Sequence, residues 1–417
     1  MKKLVAILIA LMLIAGFVMA KTTITFWTMS LKPTFTDFIQ GIIDKYEKLH
    51  PDVEIKWEDV PWDVLQQKLI AAYSAGNPPD VVNLNMSWTI DFAEQGVLLP
   101  VDDLLSKDVL DLYFDQMLKG LSWKGKIYGL PWYTAVDVIF YNKEIFKKAG
   151  LDPKYPPKSW DEVLLYSVII KEKTGKYGCM PTVVYDPSAM FAWDGLNLYT
   201  LDESNRIKEI LFDKPEYAHT LNKWATLYKL GYLPKEIVQE GEWAKSTELY
   251  QSEELAMLIT GIQFADRVKW NAPEVYEKSE VAPVPPPKPG VRQGGWYSTL
   301  NIVKGSKNPK VAADFAAFVS NLENQIAFCK LVTIFPTLKE ALNDPWFSHD
   351  DGTLTAKARI MGAKYLKNIT YYSEEIPNRK ELFDKLKSAI ISVFLGQKDP
   401  ETALKETAKY WREMIKK

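Results

Sequence analysis

Cysteine is nearly absent from this chain: Cys179 and Cys329 are the only two in 417 residues. Two thiols exclude a disulfide-stapled scaffold and any four-cysteine metal site. Both are expected as buried free thiols, Cys329 within an apolar helical pattern, the other reading being that the two pair in an oxidising compartment. Histidine is hardly more common. His50, His219 and His349 are three residues without ligand spacing, which argues against a zinc centre and against imidazole catalysis. An excess of one charge sign is missing too. Fifty-one basic residues stand against 53 acidic ones, for a net charge of −2, which offers nothing to a nucleic acid or an anionic membrane. No long apolar run follows residue 20, so no membrane span is expected beyond it. Phosphate loops, HExxH, nucleophile signatures, internal repeats and heptad seams are all lacking. No cofactor, metal or catalytic set is therefore expected.

The first 20 residues read as an export signal. Lys2 and Lys3 precede an apolar run from Leu4 to Val18, and Val18-Met19-Ala20 supplies small residues for cleavage. No Cys follows the run, so a mature chain free in the periplasm is expected, starting near Lys21. Its size suits two or three domains. Hydrophobic residues at 47% and charged ones at 25% are ordinary for a globular protein. Aromatics are what the chain has in quantity. Fourteen Trp and 21 Tyr help bring them to 13%. Rings are needed in a core, and they also suit a carbohydrate, whose C–H face packs on a ring while its hydroxyls want fixed polar partners.

Along the chain, Thr22 to Trp27 alternates and reads as a strand. Phe35 to Leu49 carries Phe35, Phe38, Ile39, Ile42, Ile43 and Tyr46 at helical spacing. Val53 to Trp57, Pro61 to Ala75 and Asp80 to Leu84 continue as strand, helix and strand, the rhythm of a parallel sheet with helices on its faces. In such sheets ligands bind beyond the carboxyl ends of strands, where Trp27 and Asn85 fall. Ser159, with Glu162 three residues on, opens a helix. Leu255 to Thr260 reads as a buried strand, and Val281 to Pro289 as a stiff proline-rich connection. Trp296 to Val303 is a strand and Pro309 to Leu331 one long amphipathic helix.

Five segments in order resemble one family. They are GNPPDVV from Gly76, GVLLPVDDLL from Gly96, GKIYGLPWYTAVDVIFYNKEIFKKAGLD from Gly125 with PPKSWDEV from Pro156, GGWYSTLNIVKGSKNPKVAADF from Gly294, and FPTLKEAL from Phe335. Together they resemble the maltose-binding-like branch of the extracellular solute-binding proteins of ABC importers. That resemblance implies a two-lobed α/β periplasmic-binding-protein fold, each lobe a mostly parallel sheet flanked by helices, with the ligand in the cleft between. Residues 21–131 and 297–336 would form the first lobe, and 132–296 and 337–417 the second. A hinge would close on the ligand, and a membrane permease would be the partner of a monomeric protein. A contact with both lobes is needed for that closure.

Candidate ligand residues follow. Trp27, Asn85 and Trp88 lie at the ends of the first and third strands; Trp27 could equally be core, and Asn85 a turn residue. Tyr133 and Asp137 share one strand face. Asp137 is a substitute for the acid that relatives carry where this chain has Ala135, or else a solvated strand end. Trp193 falls where the maltose-binding relatives place stacking rings, with core packing as its alternative. Gln263 stands where they often have an aromatic. Trp296 and Tyr297 follow Gly294-Gly295, which lets backbone approach a ligand; burial in the hinge is the alternative for Trp296. Tyr372 and Arg379 precede the last helices. Arg379 could clamp a carboxylate, or could be a surface residue among Glu374, Glu375 and Glu381. A neutral oligosaccharide is the expected ligand, with a polyol or a uronate as the other readings. A glycoside hydrolase would need a carboxylate pair that no motif singles out, and a protein-binding adhesin would use the same aromatics differently.

Overall fold

The computed structural model describes residues 21–415 except 182, 185, 203–205, 240, 287–295, 367–375 and 377. A seven-stranded sheet dominates its first part. Strands β1 (Thr22–Met29), β2 (Val53–Val60) and β3 (Val81–Asn85) run parallel. β4 (Leu98–Leu99), β5 (Leu130–Ala135), β9 (Trp296–Val303) and β10 (Phe335–Pro336) complete it, in the order β10–β5–β9–β3–β1–β2 with β4 on β9. β9 pairs antiparallel with both β3 and β5, because the chain re-enters the sheet from the opposite end. The sheet is therefore mixed.

A second sheet has three strands, β6 (Asp137–Asn142), β7 (Met257–Gly261) and β8 (Ser279–Pro283), with β6 in the middle. Its ladder is antiparallel throughout, against the expectation of a mostly parallel sheet in each half. The expected proline-rich connection also begins differently: residues 281–283 belong to β8. Pro283 is tolerated there because β8 is an edge strand with β6 on one side only.

Helices cover the faces. α1 (Thr36–Leu49) buries Ile39, Ile42, Ile43 and Tyr46, the stripe that its spacing foretells, and α2 (Trp62–Ser74) and α3 (Met86–Glu94) follow the next two strands. α4 (Trp160–Thr174) starts on Ser159, whose hydroxyl accepts from the Glu162 N–H. The Glu162 carboxylate reaches one residue further back, to the Lys158 N–H at 2.6 Å. The remaining helices used below are α5 (Ala189–Trp193), α6 (Pro215–Lys229), α7 (Glu242–Gln251), α8 (Phe264–Asn271), α9 (Pro309–Val319), α10 (Leu322–Leu331), α11 (Leu354–Leu366), α12 (Arg379–Phe394) and α13 (Pro400–Ile415). The expected long helix from Pro309 is two helices. Ser320 ends α9, and Asn321 restarts the chain by accepting the Asn324 N–H at 2.9 Å.

Alternation along β6 sets the cores. Val138 and Phe140 join an apolar body that also holds Ile24 and Phe26 of the large sheet. Ile139 and Tyr141 join a separate body with Trp160, Trp224 and Trp411. α11 closes the junction between the two sheets through a glycine. A Cβ on Gly362 would stand 2.7 Å from the Phe335 ring and 3.1 Å from the Ile262 side chain. Any larger residue would push α11 off β10 and the turn after β7. The two thiols lie apart, Cys179 in the second body and Cys329 in the first, both free and both buried.

Candidate functional site

Three parallel strands bring their carboxyl ends to one edge of the large sheet. The Asp59 carboxylate fixes the turn after β1, accepting from the Thr28 hydroxyl at 2.7 Å and from the Leu31 and Lys32 N–H groups. The Ser30 hydroxyl then accepts the Trp62 N–H at 3.0 Å, which seats the start of α2. Trp62 meets Trp88 at 5.0 Å between ring centroids, tilted by 45°. Asn85 spends its side-chain oxygen on capping α3, accepting the Trp88 N–H at 2.8 Å. That oxygen already serves the cap, while the amide N–H₂ is left to meet a ligand. Trp27 is packed in the core beside Leu65, Leu69 and Val82, with the Lys68 ammonium 4.4 Å from its ring. Its indole N–H is buried without a partner.

Where the sheets meet, Tyr133 is half-buried, 6.0 Å from Trp296 and 5.4 Å from Phe328. Burial pushes its hydroxyl pKa up, and a hydrogen bond with Ser298 pulls the other way. The Trp296 indole N–H is also buried and unpaired. Tyr297 requires a correction. Strand alternation turns it to the opposite face, where it is fully buried and its hydroxyl donates to the Met117 carbonyl. It is a core residue.

Asp137 opens β6. Solvent reaches its side chain, yet enough protein surrounds it that desolvation raises its carboxyl from 3.8 to about 6. Both facts fit a carboxylate on the wall of a concave site. Its strand partner is Gly261. Gln263 folds back over that glycine, where a Cβ would lie 2.3 Å from the amide oxygen. The same oxygen is buried and unpaired. Two residues that the sequence reading did not single out stand beside it. The Trp243 indole donates to the Thr260 hydroxyl at 3.0 Å, and the Arg267 guanidinium lies 5.1 Å over the Trp243 ring. Trp62 is a third. Each of the two tryptophans opens a helix after a turn, at sequence positions that periodicity does not mark as functional.

A raised carboxyl pKa means that the folded protein holds this proton more tightly than the unfolded chain does. The stability contributed by Asp137 is full below about pH 4 and is lost as the pH climbs through about 6. The Asp137→Asn variant is therefore expected to melt higher than wild type at pH 7.5. Calorimetry between pH 4 and 7.5 should show that gap closing toward the acid end.

Trp193 lies flat on Trp160, 3.8 Å between centroids at 13°, and 5.3 Å from Trp224. One ring face is thereby used by the core. Arg379 is the first residue of α12. Its guanidinium covers the Phe383 ring at 4.5 Å and faces Asp91 of α3. Burial raises Asp91 to about 6, with Arg379 and Lys380 acting against the rise. Glu94 accepts the Asn378 N–H at 3.1 Å, so α3 and the start of α12 touch. Tyr372 lies outside the described residues. A groove of about 430 Å³ between α4 and α6 shares no residue with this set; Leu164, Leu165, Val168 and Leu227 line most of it.

Among the described residues no group of three or more His, Cys, Asp or Glu is placed to hold a metal ion, and no helix is long and apolar enough to cross a membrane.

The chain resembles known proteins over most of its length. It is 27% identical over 452 residues to an arabinooligosaccharide-binding protein of Bacillus subtilis, covering 98% of this chain and 99% of that protein. A maltotriose-binding protein of Pyrococcus abyssi is 25% identical over 402 residues, covering 93% and 81%. The crystal structure of a periplasmic-binding protein from Synechococcus sp. MITs9220 superposes with a TM-score of 0.83 at 28% identity, covering 94% of this chain and 99% of that one. Such a match gives this chain the two-lobed periplasmic-binding-protein fold. The family model for bacterial extracellular solute-binding proteins matches residues 32–326. This protein belongs to the bacterial extracellular solute-binding protein family.

Proposed function

We propose that this protein is the substrate-binding component of an ABC importer and holds a sugar or small oligosaccharide between its lobes. The lobes are residues 21–131 with 297–336, and 132–296 with 337–417. Since β5 stays in the large sheet to Ala135 and β6 begins at Asp137, we take the first lobe to run on to Ala135, so that the chain crosses at Val136, five residues later than the sequence pattern suggests.

One observation carries the reading: buried polar atoms of Trp27, Gln263 and Trp296 have no protein partner. Buried polar groups are almost always paired, and each exception needs a reason. Asn83, Trp224 and Arg359 also carry such atoms; Trp27 packs beside Trp62 and Trp88, Trp296 beside Tyr133, and Gln263 over the strand partner of Asp137. Ligand hydroxyls would satisfy two indole donors and one amide oxygen, while Trp62 and Trp88 offer faces to sugar C–H surfaces. The names of the two relatives above, which bind arabinooligosaccharide and maltotriose, support the ligand class. A uronate finds no free clamp in Arg379, which faces Asp91.

The protein is a carrier and turns nothing over. It is exported by cleavage after Ala20, stays free of a lipid anchor, acts as a monomer and hands its ligand to a permease. A thermal-shift screen over maltotriose, arabinooligosaccharides, galactooligosaccharides, polyols and uronates tests this. At a hundredfold excess over the dissociation constant a ligand adds about 2.7 kcal/mol, and at least one neutral oligosaccharide is expected to do so. Melting unmoved by the whole panel, or hydrolysis of any member, would overturn the proposal.

A further inference from the structure

One face of α8 carries a second set of sugar-suited groups, leading away from the cleft. Phe264, Ala265 and Val268 are the buried side of this helix. Gln263, Arg267 and Trp270 recur at i, i+4 and i+7, so they share another side. The first of them is the half-buried amide folded over Gly261, opposite Asp137. The second, Arg267, packs its guanidinium 5.1 Å over Trp243, whose ring is itself anchored by its N–H to Thr260. Trp270 comes last and is 60% exposed; Trp243 is 38% exposed. At about 1.5 Å of rise per residue, Trp270 lies about 10 Å along the helix from Gln263.

Trp243 and Arg267 are packed on each other yet both reach solvent, and Trp270 presents its ring to solvent on the same side of α8 as Arg267; aromatic surface exposed beside polar groups marks a candidate binding face. Trp243 is also held rigidly, which lowers the entropy lost when a ligand packs on it. An arginine beside the rings adds planar donors for hydroxyls.

We propose that this ridge is an outer subsite, on which Trp243, Arg267 and Trp270 hold the residues of a neutral oligosaccharide that extend past the cleft. The inference rests on the saccharide-binding reading and deepens it: the ligand is an oligosaccharide longer than the cleft, and its far end stacks on Trp270. Binding strength therefore grows with chain length until Trp270 is covered. No bond is made or broken.

The test is calorimetric titration of wild type, Trp270→Ala and Trp270→Tyr with malto- and arabinooligosaccharides of two to six residues. For Trp270→Ala the shortest chains are expected to bind as they do to wild type, and the longest about tenfold more weakly. Trp270→Tyr, which keeps a ring, is expected to recover most of the loss. Arg267→Ala should follow Trp270→Ala in sparing the short chains. A loss equal at every length, or none at any, would overturn the subsite. Transport that fails in Trp270→Ala while binding is unchanged would overturn it too, assigning the ring to the permease contact. If no oligosaccharide binds even the wild type, the saccharide reading itself fails and the subsite falls with it.

Discussion

Trp296→Ala is expected to weaken saccharide binding on the order of a hundredfold, a loss of about 3 kcal/mol. Trp296 starts β9 opposite Ala135 and stands beside Tyr133, where the chain passes between the sheets. Its ring is half-buried and its N–H is buried with nothing to donate to. Truncation removes a stacking surface and a donor together, from a place that both lobes border. Trp296→Phe keeps the surface and loses only the donor, so it should fall about tenfold. Titration of both variants with one oligosaccharide separates the two contributions. Equal losses would assign the whole effect to the hydrogen bond.

Stability has a different centre. Trp411→Ala is expected to cost about 3–5 kcal/mol, the range for removing a buried large aromatic. Trp411 is fully buried in α13, donates its N–H to the Leu382 carbonyl at 2.9 Å, and packs on Phe212 at 5.1 Å and Phe383 at 5.3 Å. The cavity would unseat α13 from α12 and from the residues before α6. In thermal melts the loss should appear as a drop on the order of 10 °C. The variant that remains folded should bind ligand as wild type does, because Trp411 touches none of the candidate ligand residues. Trp296→Ala should show the reverse pattern, with a small change in melting and a large change in affinity.

Much of the architecture was legible because local patterns and tertiary packing agree. β9 spans Trp296–Val303 as the pattern reads it, and α1 buries the stripe that its spacing shows. Strand direction was less legible. A βαβ rhythm fixes the parallel order of β1, β2 and β3, but nothing local says that β9 returns from the other end. The proline-rich stretch read as a linker because Pro cannot donate to a ladder. It proves to be a strand for its first part because an edge position spares that donor. The break at Asn321 was hidden because an apolar helical period continues across it.

The surroundings of the candidate residues were less legible than the strands that carry them. Strand ends and a glycine pair pointed to Trp296 and Tyr297 alike, yet alternation across β9 decides that Trp296 stands beside Tyr133 while Tyr297 faces the core. Asn85 was a ligand candidate for its amide; its oxygen is taken by the cap of α3. Arg379 answers to Asp91 and Phe383, partners that lie far away in sequence. Trp62 and Trp243 open helices after turns, and only their contacts with Trp88 and Thr260 bring them to notice.

Small-angle scattering of the purified mature protein, with and without the oligosaccharide that raises its melting temperature most, addresses the clasping of ligand by two lobes directly. Wild type is expected to contract on saturation, with a smaller radius of gyration, while Trp296→Ala at the same ligand concentration does not. A wild-type profile that is identical with and without saturating ligand would contradict closure about the junction.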